Sequence, residues 1–170
     1  MAEAAGQSAG FAMPGVDQVG IVVRNLDQAI EMYSSIWGIG PWDVQNVEFG
    51  DVTVRGKPAS LKARIGFAQL GPVQIELIQP LEGRSIYDEH LETKGEGLHH
   101  LGFLVPDMEE RVAEMERRGV AVLQSGRMGR KSGFAYMDTT QSAGVILEFI
   151  MASSGTVRYF ESLKQLGKQT

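Results

Sequence analysis

The chain has 170 residues and a formal net charge of −5, with a sequence pI near 5.2, so its charge gives no reason to expect a nucleic acid partner. It contains no cysteine, which excludes disulfides, thiolate chemistry and cysteine-based zinc sites. Hydrophobic residues make up 43% of the chain, an ordinary globular value, yet no apolar run reaches the roughly 18 residues of a membrane span. We therefore expect one globular domain with no membrane or nucleic acid partner.

The two ends of the chain differ from its middle. The start, MAEAAGQSAGFAMPG, is rich in small residues and lacks the basic segment and apolar core of a signal peptide. We interpret residues 1–15 as a flexible N-terminal arm, residues 16–151 as a single domain and residues 152–170 as a C-terminal helix and tail. Without an export signal, the protein is expected to be cytoplasmic.

Periodicity, caps and breakers predict the elements of the domain. In chain order they are a strand at 17–23, a helix at 26–37, strands at 42–49, 60–70 and 73–78, a short helix at 86–91, a strand at 98–105, a helix at 108–118, strands at 121–125, 134–138 and 145–151, and a C-terminal helix at 157–166. Residues 50–58 are predicted to be an exposed loop or hairpin tip. Asn25 and Asp107 are predicted N-caps, each followed three residues later by a Gln or Glu that completes a capping box.

The order strand, helix and three strands occurs twice, and the copies match residue by residue. Gln18 overlays His100, 82 positions later, and Glu76 overlays Glu148, 72 positions later. Such an internal repeat predicts two structural modules. The modules are residues 16–80 and 97–151. We therefore predict an α+β fold in which two βαβββ modules form a half-open, mostly antiparallel β-barrel about a pseudo-twofold axis.

Four polar residues occupy these repeat-matched positions within apolar strands: Gln18, Glu76, His100 and Glu148. A carboxylate in apolar surroundings is costly unless it is paired or bound to a metal. One imidazole, one amide oxygen and two carboxylates suit a divalent ion such as zinc, cobalt, nickel, manganese or iron(II). The alternative is that each glutamate faces solvent from the open side of a sheet. The repeat-matched positions of all four residues favour the metal site.

Strand alternation separates the two adjacent histidines. His100 shares a face with Gly102, whereas His99 falls on the opposite face with Leu101 and Phe103, because successive side chains of a strand point to opposite sides. We therefore expect His99 to be a buried histidine bonded to backbone, with the metal-ligand role as its alternative.

Other polar residues have an ordinary and a functional interpretation. His90 is expected on the surface. Glu48 is expected to be a strand-end charge, with general base as the alternative. Arg127, Arg130 and Lys131 form a basic turn, which is expected to be a solvated loop, with an anion clamp as the alternative.

Three segments resemble the vicinal-oxygen-chelate superfamily, also called the glyoxalase/bleomycin-resistance/dioxygenase superfamily, and within it the methylmalonyl-CoA epimerases. They are VDQVGIVVRNLDQAIEMYSSIWGIG, VQIELIQPLEGRSIYDEHLETKGEGLHHLGFLV and GVILEF, which cover most of residues 16–151. The resemblance implies the vicinal-oxygen-chelate fold, one divalent metal, a homodimer and a small-molecule substrate, with acyl-CoA compounds among the candidates. It also implies that the metal ligands are Gln18, Glu76, His100 and Glu148, the set found in zinc-type glyoxalase I enzymes.

The chain departs from the epimerase pattern at three places. It has Gln18 where the first strand of an epimerase usually has His, and Asp138-Thr139 where the pattern usually has His-Pro. The predicted strand at residues 60–70 has no glutamate, although bacterial epimerases can carry a catalytic glutamate in the third strand.

The expected function is that of a metal-dependent isomerase or epimerase that removes a proton next to a carbonyl or thioester, with Glu148 as the base. A glyoxalase I-type lyase would act on a thiol adduct by the same enolate chemistry. A metal-free, resistance-type protein that binds a small molecule is the alternative from another class. An extradiol-type dioxygenase ranks low, because Gln18 breaks the usual triad of two histidines and one carboxylate.

Overall fold

The computed structural model describes residues 12–128 and 132–166. The strands are β1 (Gln18–Val22), β2 (Asp43–Val54), β3 (Lys57–Leu70), β4 (Val73–Glu82), β5 (Gly97–Val105), β6 (Val122–Arg127), β7 (Gly133–Met137) and β8 (Ile146–Met151). The helices are α1 (Leu26–Trp37), α2 (Ile86–Thr93), α3 (Met108–Arg117), α4 (Thr140–Ala143) and α5 (Ser154–Leu166). Most of the predicted N-terminal arm, together with Arg130 and Lys131 of the basic turn, lies outside the described residues. The division into arm, domain and tail stays a prediction.

The eight strands form a closed barrel in the order β1-β4-β3-β2-β6-β7-β8-β5. Each module contributes four neighbouring strands, and the second module repeats the strand order of the first. The β1–β4 and β5–β8 pairs are parallel, and the other pairs of the ring are antiparallel. This arrangement confirms the predicted α+β fold of two βαβββ modules. The ring closes at β2–β6, a short seam in which Val52 pairs with Gly126 and Val54 with Gln124.

The modules also meet along β1 and β5, where the register follows the pseudo-twofold axis. Gln18 lies opposite Gly102, and its repeat equivalent His100 lies opposite Gly20. Each of the two long polar side chains therefore faces a residue without a side chain on the other module. Because a register slip of one residue would turn these side chains to the other face of the sheet, this pairing defines which residues enter the barrel.

The hairpin formed by β2 and β3 explains why the first module is longer than the second. Of the two alternatives predicted for residues 50–58, the hairpin tip is confirmed and the loop is wrong, since β2 continues to Val54 and β3 begins at Lys57. The turn between them has positive φ at Arg55 (49°) and Gly56 (74°), as in a two-residue type I′ hairpin. A register shift between Phe49 and Val52 accommodates the glycine that suggested a loop.

Both predicted N-cap residues occupy the N-cap position of their helices, but only one makes the cap hydrogen bond. The Asn25 side chain accepts a hydrogen bond from the Gln28 backbone N–H at 3.1 Å, so it caps α1 as predicted. Asp107 precedes α3 as predicted, but its side chain makes no cap hydrogen bond. Its carboxylate instead accepts a charge-assisted hydrogen bond from the Arg111 guanidinium, one turn later, at 2.9 Å.

Three apolar clusters hold the fold together. Helix α1 packs on one outer side of the barrel and α3 on another, whereas α2 joins the cluster that fills the barrel interior. The buried face of α2 contains Ile86, Tyr87, His90 and Leu91. His90, which was predicted to lie on the surface, is therefore buried, because its spacing from Ile86 places it on the apolar face of the helix. Within the described ranges, each helix falls short of the length and apolarity that crossing a bilayer requires.

Candidate metal centre and cavity

The structure brings Gln18, Glu76, His100 and Glu148 together inside the barrel. They lie on β1, β4, β5 and β8, which are consecutive around the ring. All four side chains are buried, with residue exposures of 0 to 7%. The parallel strand pairs place Gly20 beside Glu76, and in the other module the corresponding glycine lies beside Glu148. Strand alternation and the repeat therefore placed the predicted residues on the correct face of each strand.

The ring nitrogen Nε2 of His100 is surrounded by oxygen atoms. It lies 3.2 Å from Glu76 Oε2 and 3.1 Å from Glu148 Oε2, and 3.4 Å from Gln18 Oε1. One N–H can satisfy at most one of these oxygens well. Both Oε2 atoms are buried, and neither has a hydrogen-bond partner of good geometry among the described residues. Because a buried acceptor without a donor costs about 1–3 kcal/mol, and more when charged, the arrangement favours a cation between these side chains.

The spacing of these atoms fits a divalent metal. Glu76, His100 and Glu148 each offer a ligand atom within 4.8 Å of the others and could together hold a metal ion. With metal–ligand distances of about 2.1 Å, neighbouring ligand atoms are about 3.0 Å apart in octahedral and about 3.4 Å apart in tetrahedral geometry. The distances from His100 Nε2 to its oxygen neighbours, 3.1 to 3.4 Å, fall in this range. The charges also match, since two carboxylates and a neutral imidazole would balance an ion of charge +2.

Gln18 is oriented by its neighbour on β4. Its Nε2 donates a hydrogen bond to Gln74 Oε1 at 2.6 Å, whereas the buried Gln74 Nε2 has no hydrogen-bond partner among the described residues. With the nitrogen turned toward Gln74, the amide oxygen Oε1 faces His100. Gln18 therefore presents to the centre the one atom of its amide that could bind a cation.

When no cation is bound, the charges around His100 favour its protonated form. Burial lowers the pKa of His100, but the carboxylates of Glu148 and Glu76 outweigh it and raise that pKa to about 9. Burial raises the pKa of Glu76, while His100 opposes this shift. At neutral pH an imidazolium therefore lies between the two carboxylates, and a metal would have to displace its proton.

His99 lies beside His100 rather than on the opposite face, so its predicted placement is wrong. The β1–β5 register shifts between Gly20 and Ile21, which pair with His100 and Leu98, and His99 is the extra residue of a bulge. A bulge breaks the alternation of side chains on which the prediction relied. His99 is buried, as expected, and its Nδ1 lies 3.0 Å from Nδ1 of His100.

This contact bears on the tautomer of His100. Burial, with smaller effects of His100 and His90, holds the pKa of His99 well below its usual range, so His99 is neutral and its Nδ1 can accept a hydrogen bond. A proton on Nδ1 of His100 would then leave Nε2 as the lone-pair donor to a metal. Outer partners of this kind commonly orient a metal-binding imidazole.

A cavity of about 430 Å³ opens onto the candidate centre, a volume within the usual range of ligand pockets. Gln18, Glu76 and Glu148 line it, whereas His100 is fully buried behind them. Its aromatic lining consists of Phe49, Phe67, Tyr87, Phe134, Tyr136, Tyr159 and Phe160. The cavity therefore combines a polar site with walls that are mainly apolar.

Helix α5 covers part of the cavity and is anchored to β2. Tyr159 and Phe160 line the cavity, and Phe160 is buried. The Tyr159 hydroxyl donates a hydrogen bond to Asp43 Oδ2 at 2.6 Å and accepts one from Gln45 Nε2 at 3.1 Å. The predicted C-terminal helix is thus present, and its role as a cavity wall was not foreseen.

Two tyrosines of the cavity were also not foreseen. The Tyr87 hydroxyl of α2 lies 2.8 Å from the Tyr136 hydroxyl of β7, and Tyr136 pairs with Glu148 in the β7–β8 register. The sequence did contain a signal, because Tyr136 lies in the apolar strand GFAYM, and a buried tyrosine usually needs a partner for its hydroxyl.

Two other candidates lie away from the cavity. Glu48 is exposed and does not line the cavity, which does not favour the general-base alternative, but it lies in the middle of β2 rather than at the strand end that was predicted. The Arg127 guanidinium forms an ion pair with Glu109 of α3. The charge of Arg127 is therefore already matched within the chain.

The fold and the site define a class of protein, a two-module βαβββ barrel with a buried Glu-His-Glu group at its cavity. The model of the Glyoxalase/Bleomycin resistance protein/Dioxygenase superfamily matches residues 17–137, and the chain belongs to this superfamily. The resemblance inferred from the sequence is therefore confirmed. Members of the superfamily typically bind a divalent metal.

Several known proteins are similar to the chain. Uncharacterized protein YqjC of Bacillus subtilis (strain 168) is 29% identical over 140 residues, which cover 80% of this chain and 91% of that protein. A methylmalonyl-CoA epimerase in complex with methylmalonyl-CoA and NH4+ is 22% identical, with a TM-score of 0.59 over 84% of this chain and 97% of the epimerase. The methylmalonyl-CoA epimerase from Mycobacterium tuberculosis is 22% identical, with a TM-score of 0.58 over 85% and 91% of the two chains. At these identities, the two structures show a common fold.

Proposed function

We propose that the protein is a divalent-metal-dependent isomerase or epimerase that removes a proton next to a carbonyl or thioester. One observation carries this proposal. Two buried carboxylate oxygens, Glu76 Oε2 and Glu148 Oε2, lie within 3.2 Å of His100 Nε2 and have no hydrogen-bond partner of good geometry among the described residues. Both glutamates line a cavity large enough for a small molecule. Such groups suit a reaction in which charge develops on an oxygen and a carboxylate moves a proton.

Each polar residue of the centre has a proposed role. The proposed metal ligands are Gln18, Glu76, His100 and Glu148. A divalent ion held there would act as a Lewis acid on a carbonyl oxygen of the substrate. Glu148 is the proposed base: its carboxylate lines the cavity and takes the proton from the carbon next to that carbonyl. The electron pair of the C–H bond then forms the enolate, and the proton on Glu148 can be returned to carbon.

Acyl-CoA thioesters are the first substrates to test. The epimerase similar to this chain was solved with methylmalonyl-CoA, and a Streptomyces coelicolor methylmalonyl-CoA epimerase variant was solved with 2-nitronate-propionyl-CoA. Thioesters with a hydrogen on the α-carbon meet the chemical requirement of the proposed reaction. The mainly apolar walls of the cavity are compatible with an acyl chain.

A glyoxalase I-type lyase is the second candidate. The donor set favours it, because one glutamine, two glutamates and one histidine are the ligands that the resemblance to zinc-type glyoxalase I enzymes implies. The same base would act on a thiol adduct of a 2-oxoaldehyde rather than on an acyl thioester. Turnover of such an adduct, with no exchange into thioesters, would favour this candidate. A metal-free binding protein would show neither reaction.

The test of the proposed function is solvent deuterium incorporation by the metal-loaded protein into a panel of acyl-CoA thioesters, followed by mass spectrometry. Glu148→Gln is expected to lower the exchange rate by about 100-fold or more, because the amide cannot accept the proton. Glu76→Gln is the matched control, since it changes the other carboxylate of the same centre. Undiminished exchange in Glu148→Gln would exclude Glu148 as the base, and oxygen consumption would contradict the reaction class.

A further inference from the structure

We propose that the hydroxyl pair of Tyr87 and Tyr136 donates a hydrogen bond to the oxyanion that forms when substrate loses its proton. This inference rests on the proposed function and adds to it a group that acts on the substrate oxygen. It follows from where the two tyrosines lie, from their burial and from the number of protons that their hydroxyls carry.

Tyr136 lies beside the candidate metal centre, and its hydroxyl is paired with that of Tyr87. Tyr136 pairs with Glu148 across β7 and β8, and its ring centroid is 5.0 Å from that of His100. Tyr87 reaches the same place from the first turn of α2, and the two hydroxyl oxygens are 2.8 Å apart. Both side chains line the cavity, although each residue is at most 3% exposed. A bound substrate would therefore contact groups that bulk water barely reaches.

The pair carries one more proton than its own hydrogen bond uses. Either tyrosine can donate to the other, and each hydroxyl has one hydrogen. Whichever tyrosine accepts the shared bond therefore keeps its own O–H for a third group. The carboxylate oxygens Glu76 Oε2 and Glu148 Oε2 do not take this hydrogen, since neither has a hydrogen-bond partner of good geometry among the described residues. The hydrogen remains available to a molecule in the cavity.

Both hydroxyls are protonated near neutral pH. The ordinary pKa of a tyrosine is about 10, and the burial of Tyr87 and Tyr136 disfavours the charged phenolate form. A tyrosine in these surroundings does not act as a base near neutral pH. Its O–H is a neutral donor, which is the kind of group that stabilises an oxyanion without losing its own proton.

The proposed step balances without a further reactant. Glu148 takes the proton from carbon, the C–H electron pair becomes part of the C=C bond of the enolate, and the carbonyl electron pair moves to oxygen. The O–H of the tyrosine pair then donates to this oxygen and stays intact. Return of the proton to carbon regenerates the carbonyl and the ionised Glu148. The hydrogen bond is stronger to the oxyanion than to the carbonyl, so it lowers the barrier rather than only binding substrate.

The test compares Tyr136→Phe with Tyr33→Phe in the metal-loaded protein. Tyr33 is a partly buried tyrosine of α1 that packs outside the cavity, so its variant controls for loss of a hydroxyl. Two probes are titrated: propionyl-CoA, which carries a neutral carbonyl, and 2-nitronate-propionyl-CoA, which carries an anionic oxygen in place of the enolate. Acetohydroxamate, titrated above its pKa so that it is ionised, serves as a second anionic probe that needs no CoA.

Tyr136→Phe is expected to weaken binding of the anionic probes by about 10- to 100-fold and to change binding of propionyl-CoA by less than about threefold. The kcat of deuterium exchange should fall by a similar factor at nearly constant KM. Tyr87→Phe should act in the same direction, and the double variant should lose little more than Tyr136→Phe, because the two hydroxyls act as one unit. Tyr33→Phe should change none of these quantities.

Equal weakening of neutral and anionic probes would assign the pair a structural role and overturn the inference. Failure of the wild-type protein to bind any anionic probe would also overturn it. Absence of deuterium exchange in the wild type, together with selective loss of anion binding in Tyr136→Phe, would contradict the proposed function while supporting the oxyanion role of the pair.

Discussion

The imidazole of His100 lies directly over the backbone of Gly20. A Cβ atom at position 20 would fall 1.8 Å from His100 Cε1 and 2.2 Å from its Nε2, distances at which atoms cannot coexist. The first module therefore supplies two of the candidate ligands, and through Gly20 it also leaves the space that the histidine of the second module occupies. The repeat partner Gly102 has a milder relationship to Gln18, whose Cβ and Oε1 lie 3.0 Å from where a Cβ would be.

Gly20→Ala is expected to displace the His100 ring and to lower metal affinity by about 10- to 100-fold, the cost typical of disturbing the support of a ligand. Gly102→Ala should cost less, since the flexible side chain of Gln18 can shift by a few tenths of an ångström. Gly50→Ala is the control, because a Cβ there meets nothing within 4 Å. The measurement is zinc or cobalt titration with a competing chelator. Unchanged affinity in Gly20→Ala would show that His100 is not a ligand.

His100→Ala is expected to remove most of the metal, because it deletes the only nitrogen among the four proposed ligands. His90→Ala is the matched control, since His90 is also buried but lies in α2 outside this group. Protein purified without chelator is analysed for metal by elemental mass spectrometry. About one ion per chain is expected in the wild type and in His90→Ala, and full occupancy in His100→Ala would contradict the assignment.

The metal-free protein is expected to lose stability as the pH rises from about 6.5 to about 9. Burial lowers the pKa of His100, but Glu148 and Glu76 raise it to about 9 in the folded chain, against about 6.5 in the unfolded chain. The folded state therefore binds this proton more tightly, so the contribution is complete below about pH 6.5 and is lost as the pH rises through about 9. The raised pKa of Glu76 acts with the same sign.

The size of this effect is on the order of 3 kcal/mol, since each pKa unit corresponds to about 1.4 kcal/mol. It is measured by urea unfolding of chelator-treated protein between pH 6 and 9.5. His100→Gln is the control and should remove most of the slope over this range. A wild-type stability that rises with pH in this window would contradict the imidazolium placed between the two carboxylates.

Tyr159→Phe is expected to loosen α5 over the cavity, because it removes the hydrogen bonds of the Tyr159 hydroxyl with Asp43 and Gln45. Loss of a hydrogen bond to a charged group costs about 1.5–3 kcal/mol, so amide hydrogen exchange in α5 should accelerate by about tenfold or more. Ser162→Ala is the control on the same helix, since the Ser162 hydroxyl donates its hydrogen bond to the Tyr159 backbone carbonyl within α5 itself. Equal exchange in both variants would show that the Tyr159 contact does not hold the helix.

Most of what the sequence predicted correctly about the fold and the candidate site came from its internal repeat. It placed Gln18 with His100 and Glu76 with Glu148, and strand alternation then turned all four side chains to the inside of the barrel. These inferences held because the apolar pattern of a strand encodes which face is buried. The metal-ligand and base assignments, the homodimer and the cytoplasmic location stay predictions.

What the sequence did not reveal depends on contacts between distant segments. His99 was placed on the wrong face because the bulge depends on the pairing of β5 with β1, which local alternation does not contain. The position of Tyr87 beside Tyr136 arises from α2 entering the barrel cluster. The amphipathic pattern of α5 indicated a buried face, but a pattern of this kind does not say which surface will cover it.

The register of β1 with β5 has a consequence for how the molecule would come apart. The proposed donors belong to different modules: Gln18 and Glu76 lie in the first module, and His100 and Glu148 lie in the second. An ion held by all four would cross-link the two modules. Because the ion would bind only while the modules are in contact, its binding would oppose their separation. Removal of the ion should therefore increase partial opening between the two modules more than local unfolding within either module. The two modules would then unfold less cooperatively with each other.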